Sequence, residues 1–276
     1  PEDVESYVRI HAGDDGMYSQ EDLAKVKEVD AFVIGMEPVH EQILAAAPNL
    51  KIVQRLGVGY ETLDLDATAK RQIPACNIEG VNKEAVAEHN MMLILALAKK
   101  LPLASQYTEE ADWPSARKLT SDTFELKGRT LGIIGFGNTG SSLARRAKPF
   151  EMDILYHDVQ DVNADVAEEV GARAVSREQL LKEADIVCVC TDLNDSTRNM
   201  IDRKAIDLMG PDTTFVCCAR GGIVDEEALA SALKEGRIRQ AGIDVFEIEP
   251  IRQDNPLIGI PNCILTAHVA GVAHDT

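Results

Sequence analysis

The 276-residue chain has room for two ordinary domains or one large one, and either can bury a sizeable core. Hydrophobic residues make up 45% and charged residues 27%; no unbroken apolar run reaches membrane-spanning length, and "PEDVESYVRI" lacks the basic-then-apolar start of a secretion signal, so the chain reads as soluble with no membrane partner. The net charge of −18, from 46 acidic and 28 basic residues spread along the chain, repels a polyanion and argues against nucleic acid, while local cations and helix N-termini can still hold a small anion.

In chain order, "AFVIG" (31–35), "KIVQRL" (51–56) and "IPAC" (73–76) predict strands, and "PVHEQILAAAP" and "LDLDATAKR" between them predict short helices. A long helix is predicted from about Lys83 to Leu101, "KEAVAEHNMMLILALAKKL". Its apolar residues are too dense for a surface stripe and point to burial between two bodies. A polar stretch with the single tryptophan follows. A second series then predicts strands at 130–134, 153–156, 185–190, 213–217, 241–245 and 263–266, separated by helix-length segments. Strands alternating with helices imply an α/β fold with a parallel sheet covered on both faces. The change of series puts a domain boundary near residue 82.

The six cysteines, Cys76, Cys188, Cys190, Cys217, Cys218 and Cys263, include no C-x-x-C pair. They read as reduced core thiols of a cytoplasmic protein, with no metal site.

The strand at "TLGIIG" runs into Gly135-Phe136-Gly137-Asn138-Thr139-Gly140 and then into a helix. In that setting the first glycine of a GxGxxG permits the tight turn, the second lets backbone approach a pyrophosphate, and the third lets helix and strand pack closely. The N–H groups of Asn138 and Thr139 would face the phosphates at the helix N-terminus. Asp158, eighteen residues past Gly140, ends the next strand, where a carboxylate can accept from ribose hydroxyls. With no Arg or Lys among Val159, Gln160 and Asp161, NAD is expected rather than NADP.

Three further segments, "CCARGGIVDEEAL", "AGIDVFEIEP" and "ILTAHVAG", each put a functional group just after a predicted strand. Strand C-terminal ends of an open parallel sheet line the ligand crevice, so Arg220, Asp244, Glu249 and His268 can converge although distant in sequence. Two glycines after Arg220 would let a ligand approach the backbone.

"RLGVGYETLDLDA", "GVNKEAVAEHN", "LKGRTLGIIGFGNTG", "CARGGIVDEEAL", "DVFEIEP" and "TAHVAG", in that order, make the chain resemble the NAD-dependent D-isomer-specific 2-hydroxyacid dehydrogenases, the family of phosphoglycerate, glycerate, formate and D-lactate dehydrogenases. The resemblance implies a smaller flavodoxin-like substrate domain at 1–82, with 270–276 returning to it. A Rossmann-type, doubly wound NAD domain at 83–269 completes the expected pair, with a cleft that closes on substrate and a homodimer formed through the NAD domain. It also implies that Arg220 binds the carboxylate and carbonyl oxygen of a small 2-hydroxy or 2-keto acid. His268 would be the acid or base, and Glu249 would orient its imidazole and raise its pKa. Asp244 would hold the nicotinamide carboxamide, Thr191, Cys218 and Ala219 would border the cofactor, and Leu56, Gly57, Val58 and Gly59 would bind the carboxylate through backbone N–H groups. Plain structural roles compete: a strand-end cap for Asp244, strand packing for Cys218 and Ala219, a tight turn for Gly57 and Gly59.

Asn82 and Glu88 fall in a family segment at the start of the long helix, where helix capping and interdomain contact explain them as well as catalysis does. His11, His40, His89, His157 and His274 match no role and read as surface or packing residues. Arg55 is a candidate reader of a substrate phosphate, against the common solvated strand-end arginine. The chain departs from the family's His-x-Pro-Leu at "CTDL" (190–193), has Cys217 where asparagine is common, and has Ala267 in place of a proline. The pattern also carries a strand and helix ahead of "SYVRI" and a helix past "HVAG" that the 276 residues do not include. An NAD(H)-sensing binding protein or corepressor on the same scaffold is the alternative; a Rossmann methyltransferase would leave Arg220 without a role.

Overall fold

Short β-prone runs become parallel strands in both halves of the computed structural model, which describes residues 6–13, 15–35 and 37–274. Of the two predicted domains, residues 1–5, 14 and 36, and residues 275 and 276, lie outside the described residues. The chain divides into two compact units, Pro1–Asn82 and Lys83–Thr276.

In the smaller unit β1 (Ala31–Ile34), β2 (Ile52–Arg55) and β3 (Ala75–Cys76) pair in that order. Side chains alternate across β1: Phe32 and Ile34 are buried while Val33 is 65% exposed, the pattern of a sheet covered on one face. Ile43 and Leu44 of the helix Glu41–Ala46 and Ala67 of the helix Leu65–Lys70 complete that core. A further helix, Gln20–Lys25, was not expected; Ser19 starts it by accepting the N–H of Asp22.

The larger unit holds β4 (Thr130–Ile134), β5 (Asp153–His157), β6 (Arg173–Ala174), β7 (Ile186–Val189), β8 (Thr214–Cys217), β9 (Gln240–Ile243) and β10 (Cys263–Leu265). All pair in parallel, in the order β10-β9-β8-β7-β4-β5-β6. From β4 the chain builds outward through β5 and β6, then returns to β7 on the other side. The sequence order therefore reverses between β4 and β7, the switch point of a Rossmann-type sheet.

Both faces are covered, as the continuous apolar runs require. Ile186 and Cys188 point into one core with the helices Lys83–Ala98 and Asn138–Ala147. Val187 and Val189 point into the other, with Leu180, Leu181, Leu229 and Leu233 from the helices Arg177–Glu183 and Glu226–Lys234.

The prediction missed β6, two exposed residues without an apolar signature. The long helix ends at Ala98, and Lys100 turns into the left-handed region at φ 54° before a new helix, Leu101–Glu109. Pro102 accounts for the break, because a ring without an N–H fits the first turn of a helix and not its interior. The buried side chains of Lys83–Ala98, among them Leu93 and Ile94, belong to the larger unit's own core. Residues 270–274 group with this unit, and Ala270 is buried in the same core. Among the described residues no helix is long and apolar enough to cross a membrane.

Candidate active site

β4 delivers the glycine turn to the switch point. A Cβ on Gly135, at φ 91°, would lie 2.7 Å from the Cys190 carbonyl at the end of β7, and one on Gly140 would lie 2.0 Å from the Gly135 carbonyl. Neither position has room for a side chain. A Cβ on Gly137, by contrast, would meet nothing within 4 Å, so the second glycine leaves space above the turn. The helix Asn138–Ala147 starts there without a side-chain cap, and among the described residues the N–H groups of Asn138 and Thr139 have no acceptor. Asp158 Oδ2 accepts the Phe136 N–H at 2.6 Å and Oδ1 accepts that of Gln160 at 2.9 Å, which fixes the carboxylate beside the turn. Open N–H groups, free space and an adjacent acceptor fit a dinucleotide.

The flanking positions are less accommodating. The half-buried Thr191 lines the switch point, its nitrogen 2.9 Å from where a Gly135 Cβ would sit. The Cys218 thiol, expected to border the cofactor, is buried in the core, and burial pushes its pKa well up. The Ala219 carbonyl accepts Arg220 Nη1 at 2.7 Å. At the unusual Cys217, burial pushes the thiol up to about 11 even though the N–H groups of Ala219 and Arg220 are directed at its sulfur. All six cysteines are free; Cys76 is exposed and so departs from the core-thiol reading. The described residues contain no metal-binding cluster.

The ends of β8, β9 and β10 bring Arg220, Glu249 and His268 together. His268 Nδ1 lies 2.6 Å from Glu249 Oε2, and Glu249 Oε1 accepts the Phe246 N–H at 2.8 Å. The two side chains are 34% and 30% exposed. The hydrogen bond to Glu249 raises the His268 pKa above its ordinary value; burial and the nearby charge of Arg220 oppose the rise without cancelling it. Burial pushes Glu249 up, but the bonds from His268 and Phe246 N–H, with the charges of His268 and Arg220, hold it below the usual carboxylate range. Arg220 thus stands near enough for its charge to act on both partners. The glycine after it serves packing rather than ligand approach. A Cβ on Gly221 would fall 1.8 Å from the Phe246 carbonyl, so this glycine lets the Arg220 loop lie directly on the Glu249 loop.

Asp244 meets the expectation of a strand-end cap: it is fully buried, and its carboxylate accepts Thr266 Oγ1 at 2.5 Å, Val269 N–H at 3.1 Å and Ala270 N–H at 2.9 Å. Its carbonyl accepts the His268 N–H at 2.7 Å. His89, read as a packing residue, joins this group, with Nε2 3.0 Å from Thr266 Oγ1. Reading single residues missed it because it lies 177 positions from its partner; the usable signal was a histidine just before the apolar run of its helix. Glu88 pairs with Arg146 at 2.9 Å, a helix-to-helix tie in keeping with a structural role.

In the smaller unit, β2 runs into Leu56, Gly57, Val58 and Gly59. The carbonyl of Gly57 accepts Ile78 N–H at 3.1 Å, that of Val58 accepts Asn77 Nδ2 at 2.8 Å, and that of Gly59 accepts Arg55 Nε at 2.8 Å. Among the described residues the N–H groups of Gly57, Val58 and Gly59 have no acceptor. Arg55, only 7% exposed, is neither solvated nor turned outward; it braces the loop from beneath.

The family model for the NAD binding domain of D-isomer specific 2-hydroxyacid dehydrogenases matches residues 91–270. The glyoxylate reductase of Korarchaeum cryptofilum is 38% identical over 256 residues, 92% of this chain and 77% of that protein. The D-3-phosphoglycerate dehydrogenase of Archaeoglobus fulgidus is 36% identical over 261 residues, 94% of this chain and 49% of that protein. The crystal structure of the D-lactate dehydrogenase from Aquifex aeolicus complexed with NAD and lactic acid matches with a TM-score of 0.81 at 28% identity, covering 92% of this chain and 80% of that one.

Proposed function

The chain belongs to the D-isomer specific 2-hydroxyacid dehydrogenases and is an NAD-dependent dehydrogenase; from that premise we propose that it reduces a small, unphosphorylated 2-keto acid to the D-2-hydroxy acid, with His268 as the general acid. The observation that carries this reading is the 2.6 Å bond from His268 Nδ1 to Glu249 beside the charge of Arg220.

The reduced cofactor supplies the hydride. Asn138 and Thr139 N–H groups would hold its pyrophosphate, within the turn shaped by Gly135, Gly137 and Gly140, and Asp158 would accept from the ribose hydroxyls and repel a 2′-phosphate. Arg220 presents its fork of donors to the substrate carboxylate and the carbonyl oxygen. Glu249 holds the Nδ1 proton of His268, which leaves Nε2–H for that oxygen. The proton passes from Nε2 as the C–O bond becomes single; in oxidation the neutral ring takes it back. The open N–H groups of Gly57, Val58 and Gly59 suit a carboxylate. Arg55, committed to bracing that loop, supports a substrate without a phosphate.

A second copy of this chain is the proposed protein partner, meeting exposed Met92, Leu101 and Phe150 of the larger unit. Sedimentation equilibrium at micromolar concentration would find twice the mass of one chain. The charge of −18 supports the absence of a nucleic-acid partner.

NADH oxidation with glyoxylate, pyruvate, hydroxypyruvate and phosphohydroxypyruvate tests the reading. Turnover of at least one of the first three, exceeding that of the phosphorylated acid, is expected. NADH binding without turnover of any would replace the enzyme with an NADH sensor.

A further inference from the structure

Behind His268 lies a polar network that the proposed chemistry does not use. Asp244 is fully buried and, among the described residues, takes three donors, of which Thr266 is the one side chain. The Thr266 hydroxyl has a single proton, directed to Asp244 Oδ1 at 2.5 Å. Its contact with His89 Nε2 at 3.0 Å must then run the other way, with the ring donating and the hydroxyl accepting. That inventory sets the tautomer: His89 carries its proton on Nε2. The ring also stands 3.6 Å from Asp244 Oδ1. The chain of donors therefore has one direction, from the helix Lys83–Ala98 through Thr266 into the carboxylate.

What the carboxylate holds in turn is the backbone on either side of the acid. Val269 and Ala270 N–H groups end on its oxygens, and the His268 N–H ends on the Asp244 carbonyl. His268 itself sits in the left-handed region at φ 52°, a conformation a non-glycine residue keeps only where its surroundings over-determine it. Ala267, in the place of a proline, leaves that backbone free of a ring restraint, so the hydrogen bonds must do the holding.

We propose that His89 and Thr266 are positioning residues for the reaction: by orienting the Thr266 hydroxyl toward Asp244 they lock residues 266–270 so that the left-handed His268 meets Glu249. The inference rests on His268 being the acid, and its test separates the two ideas. The variants are Thr266→Val, which keeps shape and removes the hydroxyl, Thr266→Ser, which restores it, and His89→Leu against His89→Gln, which keeps a donor near Nε2. Glyoxylate reduction and NADH titration are measured on each. The pKa of His268 is read by histidine NMR on the chain without ligands.

Thr266→Val and His89→Leu are expected to lower kcat at least about 10-fold while the Kd for NADH and the KM for glyoxylate stay within about threefold, since a small misplacement of an acid acts on the chemical step. Thr266→Ser and His89→Gln should recover most of the loss. In the NMR titration the His268 pKa should fall toward its ordinary value in Thr266→Val and return in Thr266→Ser. Wild-type kcat in both Thr266→Val and His89→Leu would overturn the inference, as would losses in which kcat and NADH binding fall together and the conservative variants recover nothing. If the unaltered chain reduces none of the acids, the NMR titration alone decides: a fall in Thr266→Val upholds the lock and an unmoved pKa ends it, whatever becomes of the reaction.

Discussion

Two strand-end loops, one in each unit, carry the proposed chemistry, and they are built oppositely. Around His268, after β10, the polar groups are engaged inside the protein: the ring with Glu249, the backbone N–H with Asp244, the flanking N–H groups with the same carboxylate. After β2, Leu56–Gly59 has its carbonyls tied down and the N–H groups of Gly57, Val58 and Gly59 open among the described residues. A proton donor must be held in one orientation before substrate arrives, whereas an anion anchor must keep its donors vacant until then. Rigidity on one side and vacancy on the other are two forms of preorganisation.

The sharpest way to break this contrast is to empty the rigid side. His268→Ala should lower kcat for keto-acid reduction by at least about 1,000-fold with NADH affinity nearly intact, within the range of a general acid's contribution. Steady-state rates and an NADH fluorescence titration check it; parallel loss of both would mean that the loop had unfolded instead.

Arg220→Met comes next. Removing the guanidinium should cut kcat/KM about 100-fold, close to 2.7 kcal/mol and the size of a charge-assisted hydrogen bond, and the loss should appear mainly as raised KM for the acid. A loss confined to KM for NADH would move Arg220 to the cofactor side.

Glu249→Gln should be milder and visible in the pH profile. His268 is raised above its ordinary 6.5, and reduction needs it protonated, so activity is full at low pH and is lost as pH rises through the raised value. Without the carboxylate the raising cause is gone, and the fall in kcat/KM should begin at lower pH, leaving about 10-fold less activity at neutrality. The same pair links to stability. The raised histidine contributes below its unfolded pKa and loses that contribution as pH rises through the folded one, while the lowered Glu249 contributes above 4.5 and loses it as pH falls. An unmoved pH profile would remove Glu249 from its role.

The smallest effect tests the vacant loop. Arg55→Lys keeps the charge and loses the Nε bond to the Gly59 carbonyl, so KM for the keto acid should rise about threefold at unchanged kcat, through a loosened loop. An equal loss of kcat would show that the brace also serves the chemical step.

Much of this could be read along the chain because the signals were local. The glycine turn was legible because its spacing lies within six residues: Gly140 against the Gly135 carbonyl is a contact inside the motif itself, although Gly135 also answers to Cys190 on another strand end. Alternating apolar runs gave the larger unit's strands to within a residue or two, apart from β6, which has no apolar residue beyond one exposed alanine. The meeting of Arg220, Glu249 and His268 was expected from strand ends, though their mutual geometry was not. The surroundings of Asp244 were not legible, because a carboxylate at a strand end looks the same along the chain whether it faces a ligand or internal donors. The reading of Gly221 failed for a related reason: the atom it avoids, the Phe246 carbonyl, belongs to another loop.

Periodicity and turn chemistry thus determined the parallel α/β class and the dinucleotide turn, since these depend on neighbours a few bonds away, while the candidate acid came from the resemblance carried by the order of motifs. Only the folded chain decided which polar groups are already satisfied: the direction of the His89–Thr266–Asp244 chain, the burial of Arg55 and the left-handed backbone of His268. A hydrogen-bond inventory closes in space, between residues as far as 177 positions apart, and no pattern along the sequence records which donor has found its acceptor.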